Sequence, residues 1–317
     1  MSRYLVTGGA GFIGGHIVEL LVAEGHEVVV FDNFSTGSMD NLAAVAGEVD
    51  VVDADVRDRA ALDGAMEGID HVIHQAAEIS VARSVEDPAL VNEVNVGGTV
   101  NVLVSARDHG VRRVVLASSC AIYGDTGKRA QTEDMLPNPL SPYGASKIAA
   151  EYYLSVFRHL YGLETVRLRY FNVFGPRQNP ASQYAAVIPR FIDRILAGEE
   201  IHIYGDGEQT RDFVYVENVA RANYLACTAP EAPGRAFNIA SEQTWSVNEL
   251  ARRLIELSGR EVRVVHDAPL PGEIRHSAGD ISLGRRLLGY VPWVPPAEGL
   301  ERAFSYLAAK SRPVQDP

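Results

Sequence analysis

With 317 residues, 46% of them hydrophobic, the chain is long enough to bury one large core and a smaller second one. Its net charge of −12 excludes a global basic footprint for nucleic acid and argues against anionic membranes, so an anionic ligand has to be held by local arginines or helix N-termini. Two cysteines in no metal-ligand spacing, no N-terminal signal pattern and no apolar run of about 18 residues predict a cytoplasmic protein with no metal site and no transmembrane helix.

The segment Tyr4-Leu-Val-Thr7 reads as a short buried strand. It is followed by Gly8-Gly-Ala-Gly11-Phe12-Ile13-Gly14 and an apolar-periodic helix over 12–24, then by a second buried strand over 27–31 that ends at Asp32. Glycines at 8, 11 and 14 allow a tight turn, close approach to a pyrophosphate, and packing of helix on strand. The helix N-terminus adds N–H groups and the positive end of its dipole. Asp32 can accept hydrogen bonds from a ribose diol and repels a 2′-phosphate, which favours NAD over NADP. The unit therefore predicts a Rossmann-type dinucleotide site with Gly8, Gly11, Phe12, Ile13, Asp32 and Asn33 as its first contacts.

Residues 33–45 read as a polar loop. A strand over 49–53 leads to Asp55, placed beside the adenine, and to Val56, a further cofactor contact. A helix over 59–66 precedes a strand over 70–75. The small residues Ala76 and Ala77 after it suit close approach of the cofactor, and Ser80 is placed at the substrate. His71 and His74, two apart on a buried strand, read as satisfied core histidines and not as metal ligands. A long helix over 88–109 carries Asn95, whose side chain can brace the catalytic loop and is counted with the cofactor contacts. The strand over 111–116 ends in Ser118-Ser119-Cys120, at the carboxyl edge where open α/β sheets bind ligands.

Ser141-Pro-Tyr143-Gly-Ala-Ser-Lys147 opens a helix over 143–161. A spacing of four puts Tyr143 and Lys147 on one face. A phenol titrates near pH ~10, and a neighbouring ammonium favours its phenolate, so the pair can transfer protons beside a hydroxyl and a hydride acceptor. Such a pair alone is equally at home on a solvated helix face; the dinucleotide unit upstream makes it a candidate site. A strand over 165–170 adds Tyr170 as a cofactor contact. Beyond Phe171 loops lengthen and strands shorten. The expected fold is α/β: a Rossmann-type doubly wound parallel sheet over 1–170, with 212–240 partly returning to it, and a smaller C-terminal α/β substrate lobe over 171–317. The cleft between them is the expected ligand site.

In their order and spacing, Gly8-Gly-Ala-Gly11-Phe-Ile-Gly14, Ser118-Ser119, Tyr143-x-x-x-Lys147, Arg169-Tyr-Phe-Asn172-Val-Phe-Gly-Pro and Arg211-Asp-Phe-Val-Tyr-Val resemble the extended short-chain dehydrogenase/reductase superfamily, in its nucleotide-sugar branch. The resemblance implies a bound NAD and a nucleoside-diphosphate sugar across the cleft. Dehydratases and the decarboxylase type carry an acid just before the Tyr-Gly pair; here Cys120, Ala121 and Ile122 stand there, which points to an epimerase. His74-Gln-Ala-Ala, Tyr184-Ala-Ala-Val-Ile-Pro189 and Glu273-Ile-Arg-His-Ser277 are similar to the UDP-N-acetylglucosamine/UDP-glucose 4-epimerase group.

That resemblance implies a set of roles. Tyr143 removes the proton of the sugar 4-hydroxyl, carbon 4 gives hydride to the nicotinamide, and the 4-keto sugar turns over and takes hydride back on its other face. Lys147 orients the nicotinamide ribose and Ser119 hydrogen-bonds the 4-oxygen. Asn172, Ala186, Val187 and Arg211 hold the nucleotide, with Arg211 at the diphosphate, and Gln178 meets the sugar end. Ser277 matches a size gate, where a small residue leaves room for an N-acetyl group. Leu270 stands where many relatives have an arginine, and Glu78 and Ile79 replace smaller or apolar residues near the sugar. The family also implies a homodimer through helices 88–109 and 143–161, paired as a four-helix bundle. A UDP-glucuronate 4-epimerase, a dehydratase using Cys120 or Glu78 as its acid, and a non-catalytic dinucleotide sensor are the alternative readings.

Overall fold

The computed structural model describes residues 1–179, 186–269 and 274–310. Its largest sheet collects the apolar runs of the first half: β1 (Arg3–Thr7), β2 (Glu27–Asp32), β3 (Val49–Asp53), β4 (His71–His74), β5 (Arg113–Ser119) and β6 (Glu164–Tyr170). The order across the sheet is β3-β2-β1-β4-β5-β6, and the strand Ala236–Ile239 joins β6 at the far edge. All of these pairings are parallel. Unbroken runs such as Val28-Val-Val-Phe31 suit central strands covered on both faces. One face is covered by α1 (Phe12–Ala23) and the helix Val216–Thr228 through Ile17, Val18, Leu21, Val219 and Ala222. The other is covered by the helices Gly98–Asp108 and Pro142–Tyr161 through Val102, Leu103, Leu154 and Phe157. This is the doubly wound arrangement, and the strand order reverses between β1 and β4. The connections after those two strands diverge there and leave a crevice at the carboxyl edge.

The second half supplies a smaller α/β unit. Strands Asn172–Phe174, Thr210–Tyr215, Thr244–Ser246 and His276–Ser277 form a four-stranded sheet, and Ile201–Tyr204 pairs with Val264–Asp267. Phe191, Ile192, Trp245, Leu250, Leu254 and Leu300 build its core.

Three local departures from the sequence reading have identifiable causes. Within 33–45 a 3-10 turn forms over Met39–Val45, capped by the Ser38 hydroxyl, which accepts from Asp40 N at 3.2 Å. The stretch after β4 contains a short helix, Val81–Glu86, capped in the same way by Ser80. The single helix expected over 88–109 is instead Pro88–Asn92, a π-helical turn Glu93–Gly97, and Gly98–Asp108. Two adjacent glycines weaken the α-helix at that point. Gly98 also lies against Val56, where a Cβ would fall 2.6 Å from a valine methyl.

The helix Pro142–Tyr161 matches its sequence signals closely. Ser141 accepts from Gly144 N at 3.1 Å, Pro142 occupies the first turn, and Gly162 ends the helix at φ 71°.

Candidate active site

The crevice at the switch point is a cavity of about 300 Å³. Ten of the expected cofactor contacts line it: Gly8, Gly11, Phe12, Ile13, Asp32, Asn33, Asp55, Val56, Ala76 and Ala77. The glycines are required by space. Gly8 has φ +68°, and a Cβ on it would meet Ala76 N at 2.7 Å; one on Gly14 would lie 2.1 Å from the Gly8 carbonyl oxygen. The first turn of α1 has no side-chain cap and no acidic residue, so its N–H groups face the crevice without competition from the protein. This donor set and backbone cradle fit the pyrophosphate of a dinucleotide.

Asp32 is buried, and its two oxygens accept from Ala10 N and Phe34 N, each at 2.9 Å. Burial raises its pKa, against those two bonds. Asp55 is held down to about 2 chiefly by Arg57, which approaches at 2.9 Å, with Asn33 adding a bond of 2.8 Å. Asn95 is not on the cavity wall. It sits behind it, where the π turn aims its amide at the backbone of Glu78 and at Ser146 Oγ. Tyr170 is also turned inward, its hydroxyl 2.9 Å from both Gln75 Nε2 and Asn223 Oδ1.

The end of β5 meets the helix Pro142–Tyr161 beside this crevice. The Ser119 hydroxyl accepts from Ala121 N at 3.1 Å and lies near the Tyr143 phenol, whose ionised form it favours. Lys147 Nζ lies 5.8 Å from the Tyr143 ring centroid and donates to the Ala117 carbonyl at 3.0 Å. The expected lowering of the phenol by the ammonium is reversed in the protein itself. Burial pushes Tyr143 up to about 12, against the opposing influence of Ser119, and pushes Lys147 down to about 8. Desolvation outweighs the attraction because Lys147 directs its charge at a carbonyl and not at the phenol oxygen.

A second cavity, of about 310 Å³, is lined by Asn172, Ala186, Val187 and Arg211 among the expected substrate contacts, together with Phe174, Tyr204 and Phe213. Arg211 lies beside Ser277 in parallel register and donates to Thr210 O at 2.9 Å. Ser277 is buried and lies near Cys120, whose thiol burial pushes up to about 11. Gln178 donates to Val173 O at 3.2 Å, while its Oε1 is buried without a hydrogen-bond partner among the described residues.

Two expected contacts have local duties. Ser80 Oγ caps the helix Val81–Glu86 by accepting from Arg83 N at 3.0 Å. Glu78 lines the cofactor crevice, with its carboxylate 3.1 Å from Arg83, while Ile79 is exposed. Leu270, Tyr184 and Glu273 lie outside the described residues. His74 is satisfied at both nitrogens, by Thr7 and Thr99. His71 stacks on Tyr4 at 5.1 Å but leaves Nδ1 without a partner among the described residues, so only one of the two is the satisfied core histidine expected. Among the described residues, no helix is long and apolar enough to cross a membrane.

The sequence reading missed the groups behind the site: Ser146, Gln75, Asn223 and above all Glu151, which continues the spacing of four from Tyr143 and Lys147. That repeat was the available signal.

The model of the NAD dependent epimerase/dehydratase family matches residues 4–240. The chain is similar to the UDP-glucose 4-epimerase of Mycolicibacterium smegmatis, 39% identical over 315 residues, 98% of this chain and 100% of that one. Among solved structures it is similar to the UDP-glucose 4-epimerase of Thermotoga maritima with UDP-glucose, at 38% identity and a TM-score of 0.93, covering 98% of this chain and 100% of that one. It is also similar to the UDP-N-acetylglucosamine 4-epimerase of Methanobrevibacter ruminantium in complex with UDP-N-acetylmuramic acid, at 36% identity and a TM-score of 0.91, covering 98% and 99%. A glycine cradle built for a dinucleotide and likeness over nearly the full length lead to one assignment: the chain belongs to the NAD dependent epimerase/dehydratase family, as an isomerase whose cofactor is NAD.

Proposed function

We propose that the protein interconverts the C4 epimers of a UDP-hexose through a 4-keto intermediate, acting on UDP-glucose/UDP-galactose and on UDP-N-acetylglucosamine/UDP-N-acetylgalactosamine. The observation that carries the reading is the placement of Ser119, at the end of β5, beside Tyr143, which shares a helical face with the buried Lys147, with Cys120 and not an acid next in the chain. NAD, when bound, supplies a reversible hydride acceptor. Tyr143 takes the proton of the 4-hydroxyl and later returns it, and Ser119 holds the same oxygen. Lys147 binds the nicotinamide ribose. Its side chain is buried beside Tyr143, with the ammonium donating to Ala117 O.

Asn172, Ala186 and Val187 hold the nucleotide, Arg211 the diphosphate and Gln178 the sugar. The first four share one cavity wall, and Gln178 follows Asn172 closely in the chain, its buried Oε1 without a hydrogen-bond partner among the described residues. Ser277, small and set beside Arg211, leaves room for an N-acetyl group. Residues 1–170, with 212–240 returning, serve the cofactor, and 171–317 mainly serve the substrate; the position of Ala236–Ile239 in the large sheet supports that division. Two copies pair through the helices of 88–109 and 143–161. Tyr152, Tyr153, Val156, Leu160 and Tyr161 stand exposed along the second of these, an apolar stripe that a partner would cover.

The test is incubation with NAD and a panel of UDP-sugars that includes UDP-glucuronate, with C4 stereochemistry read by NMR. Inversion at C4 of the glucose and N-acetylglucosamine forms is expected. A 4-keto-6-deoxy product would make the protein a dehydratase instead.

A further inference from the structure

A buried ion pair lies directly behind the catalytic helix. Glu151 and Arg169 are 2% and 6% exposed, and the guanidinium meets both carboxylate oxygens, Nε to Oε1 at 3.0 Å and Nη2 to Oε2 at 2.8 Å. Ser118 Oγ donates to the same Oε1 at 2.5 Å. The third guanidinium nitrogen donates to Tyr123 Oη at 2.8 Å and to Glu133 O at 3.1 Å. Tyr123 donates onward to Asn238 Oδ1 at 2.7 Å, and Asn238 Nδ2 donates to Asp280 O at 3.1 Å.

Each end of this network adjoins a residue with an assigned role. Tyr143, Lys147 and Glu151 repeat at a spacing of four and share a helical face. Ser118 precedes Ser119. Arg169 lies on β6 just before Asn172, and Asp280 follows Ser277 on the substrate side. Stability does not account for the pair, since exchanging a buried ion pair for well-packed apolar side chains is often neutral or stabilising. Its forked geometry does something apolar contacts do not: it fixes the end of β6 in direction as well as distance against the helix Pro142–Tyr161, and β5 is held to both, by the Ser118 bond to Glu151 and by the register of Ser118 with Arg169.

We infer that Glu151 and Arg169 are positioning residues that hold the Ser119 hydroxyl in register with the Tyr143 phenol. This rests on the roles proposed above for Ser119 and Tyr143. Displacing reacting groups by about 1 Å costs on the order of 100-fold in rate, so a rigid link between the two elements has a direct effect on turnover.

The experiment compares the NAD-loaded wild type with S118A, E151Q and the double variant E151M/R169M. Thermal unfolding, kcat and KM for a UDP-sugar are measured, with the phenolate absorbance of Tyr143 as the wild-type-minus-Y143F difference. The double variant is expected to unfold at or above the wild-type temperature, while E151Q, which strands Arg169, unfolds lower. The kcat of both the double variant and S118A falls about 10- to 100-fold with KM within about twofold, and Tyr143 titrates at higher pH as Ser119 moves away from it. A stable double variant with wild-type kcat and wild-type Tyr143 titration overturns the inference. Should the double variant fail to fold, S118A decides it, and unchanged kcat and titration there overturn it equally. If the wild type turns over no UDP-sugar, the proposed reaction fails, while the titration still decides the positioning role.

Discussion

Asn95 grips Glu78 by both of its backbone groups: Oδ1 accepts from Glu78 N at 2.8 Å, and Nδ2 donates to Glu78 O at 2.9 Å. A third bond, from Nδ2 to Ser146 Oγ at 2.9 Å, ties the turn after β4 to the helix that carries Tyr143 and Lys147. Asn95→Ala leaves both Glu78 groups without this partner, at about 1–3 kcal/mol each where water does not replace it. The variant is expected to fold and to bind NAD at least about tenfold more weakly, because the crevice wall at 76–78 loosens. Titration calorimetry with NAD checks this, and unchanged affinity would remove Asn95 from the cofactor site.

Gly14→Ala places a methyl group 2.1 Å from the Gly8 carbonyl oxygen, a backbone atom that can yield only by moving the pyrophosphate turn. Loss of NAD binding is expected, with about 1–3 kcal/mol of destabilisation. Gly97→Ala is the control, since no heavy atom outside its own helix lies within 4 Å of its would-be Cβ. Equal effects of the two substitutions on NAD binding would defeat the prediction.

His74 sets an acid limit on stability. Thr99 Oγ donates to Asn95 O at 2.6 Å, so it accepts from His74 Nε2 at 3.1 Å, and Nδ1 accepts from Thr7 Oγ at 2.6 Å. The ring is thus fixed neutral. Burial, and then the charge of Lys147, push its pKa from 6.5 down to about 3. A group whose folded pKa is depressed contributes stability that is complete above its unfolded value of 6.5 and lost as pH falls toward about 3. The unfolded chain takes up one proton there that the folded one refuses, a slope of about 1.4 kcal/mol per pH unit. His71 and His16, each pushed down to about 4 mainly by burial, add to it. Urea unfolding of His74→Gln between about pH 6 and 4 is expected to show a slope shallower by one proton. An unaltered slope would mean that His74 titrates normally.

Ser277 is buried in register with Arg211 and lies near Cys120, next in the chain after Ser119, so a large ring at 277 enters the space beside the catalytic pair. Ser277→Tyr is expected to lower kcat/KM for UDP-N-acetylglucosamine at least about tenfold more than for UDP-glucose, the scale at which a pocket discriminates by volume. Steady-state kinetics on both substrates test it. A parallel fall would show that position 277 supports the fold and does not select the sugar.

Tyr143→Phe removes the phenolic proton carrier while keeping the ring. Turnover is expected to fall by about 10²- to 10⁴-fold with NAD binding intact. Retained activity would assign the base elsewhere.

Much of this molecule is written in short stretches of chain. The glycines at 8, 11 and 14, Asp32 at the end of β2, and Tyr143 and Lys147 on one helical face follow from backbone geometry repeated over a few residues, so they are readable in order along the sequence. The opening of the helix Pro142–Tyr161 at Ser141-Pro142 and its extent to Tyr161 were legible for the same reason. The approach of Ser119 to Tyr143 and of Cys120 to Ser277, the π turn that aims Asn95, and the pairing of Glu151 with Arg169 each join segments far apart in the chain. No local period encodes them. The pKa of Tyr143 is the clearest instance: the neighbouring lysine argued for a lowered phenol, and burial raised it to about 12. Desolvation is a property of everything packed around a group, and the packing exists only once the chain has folded.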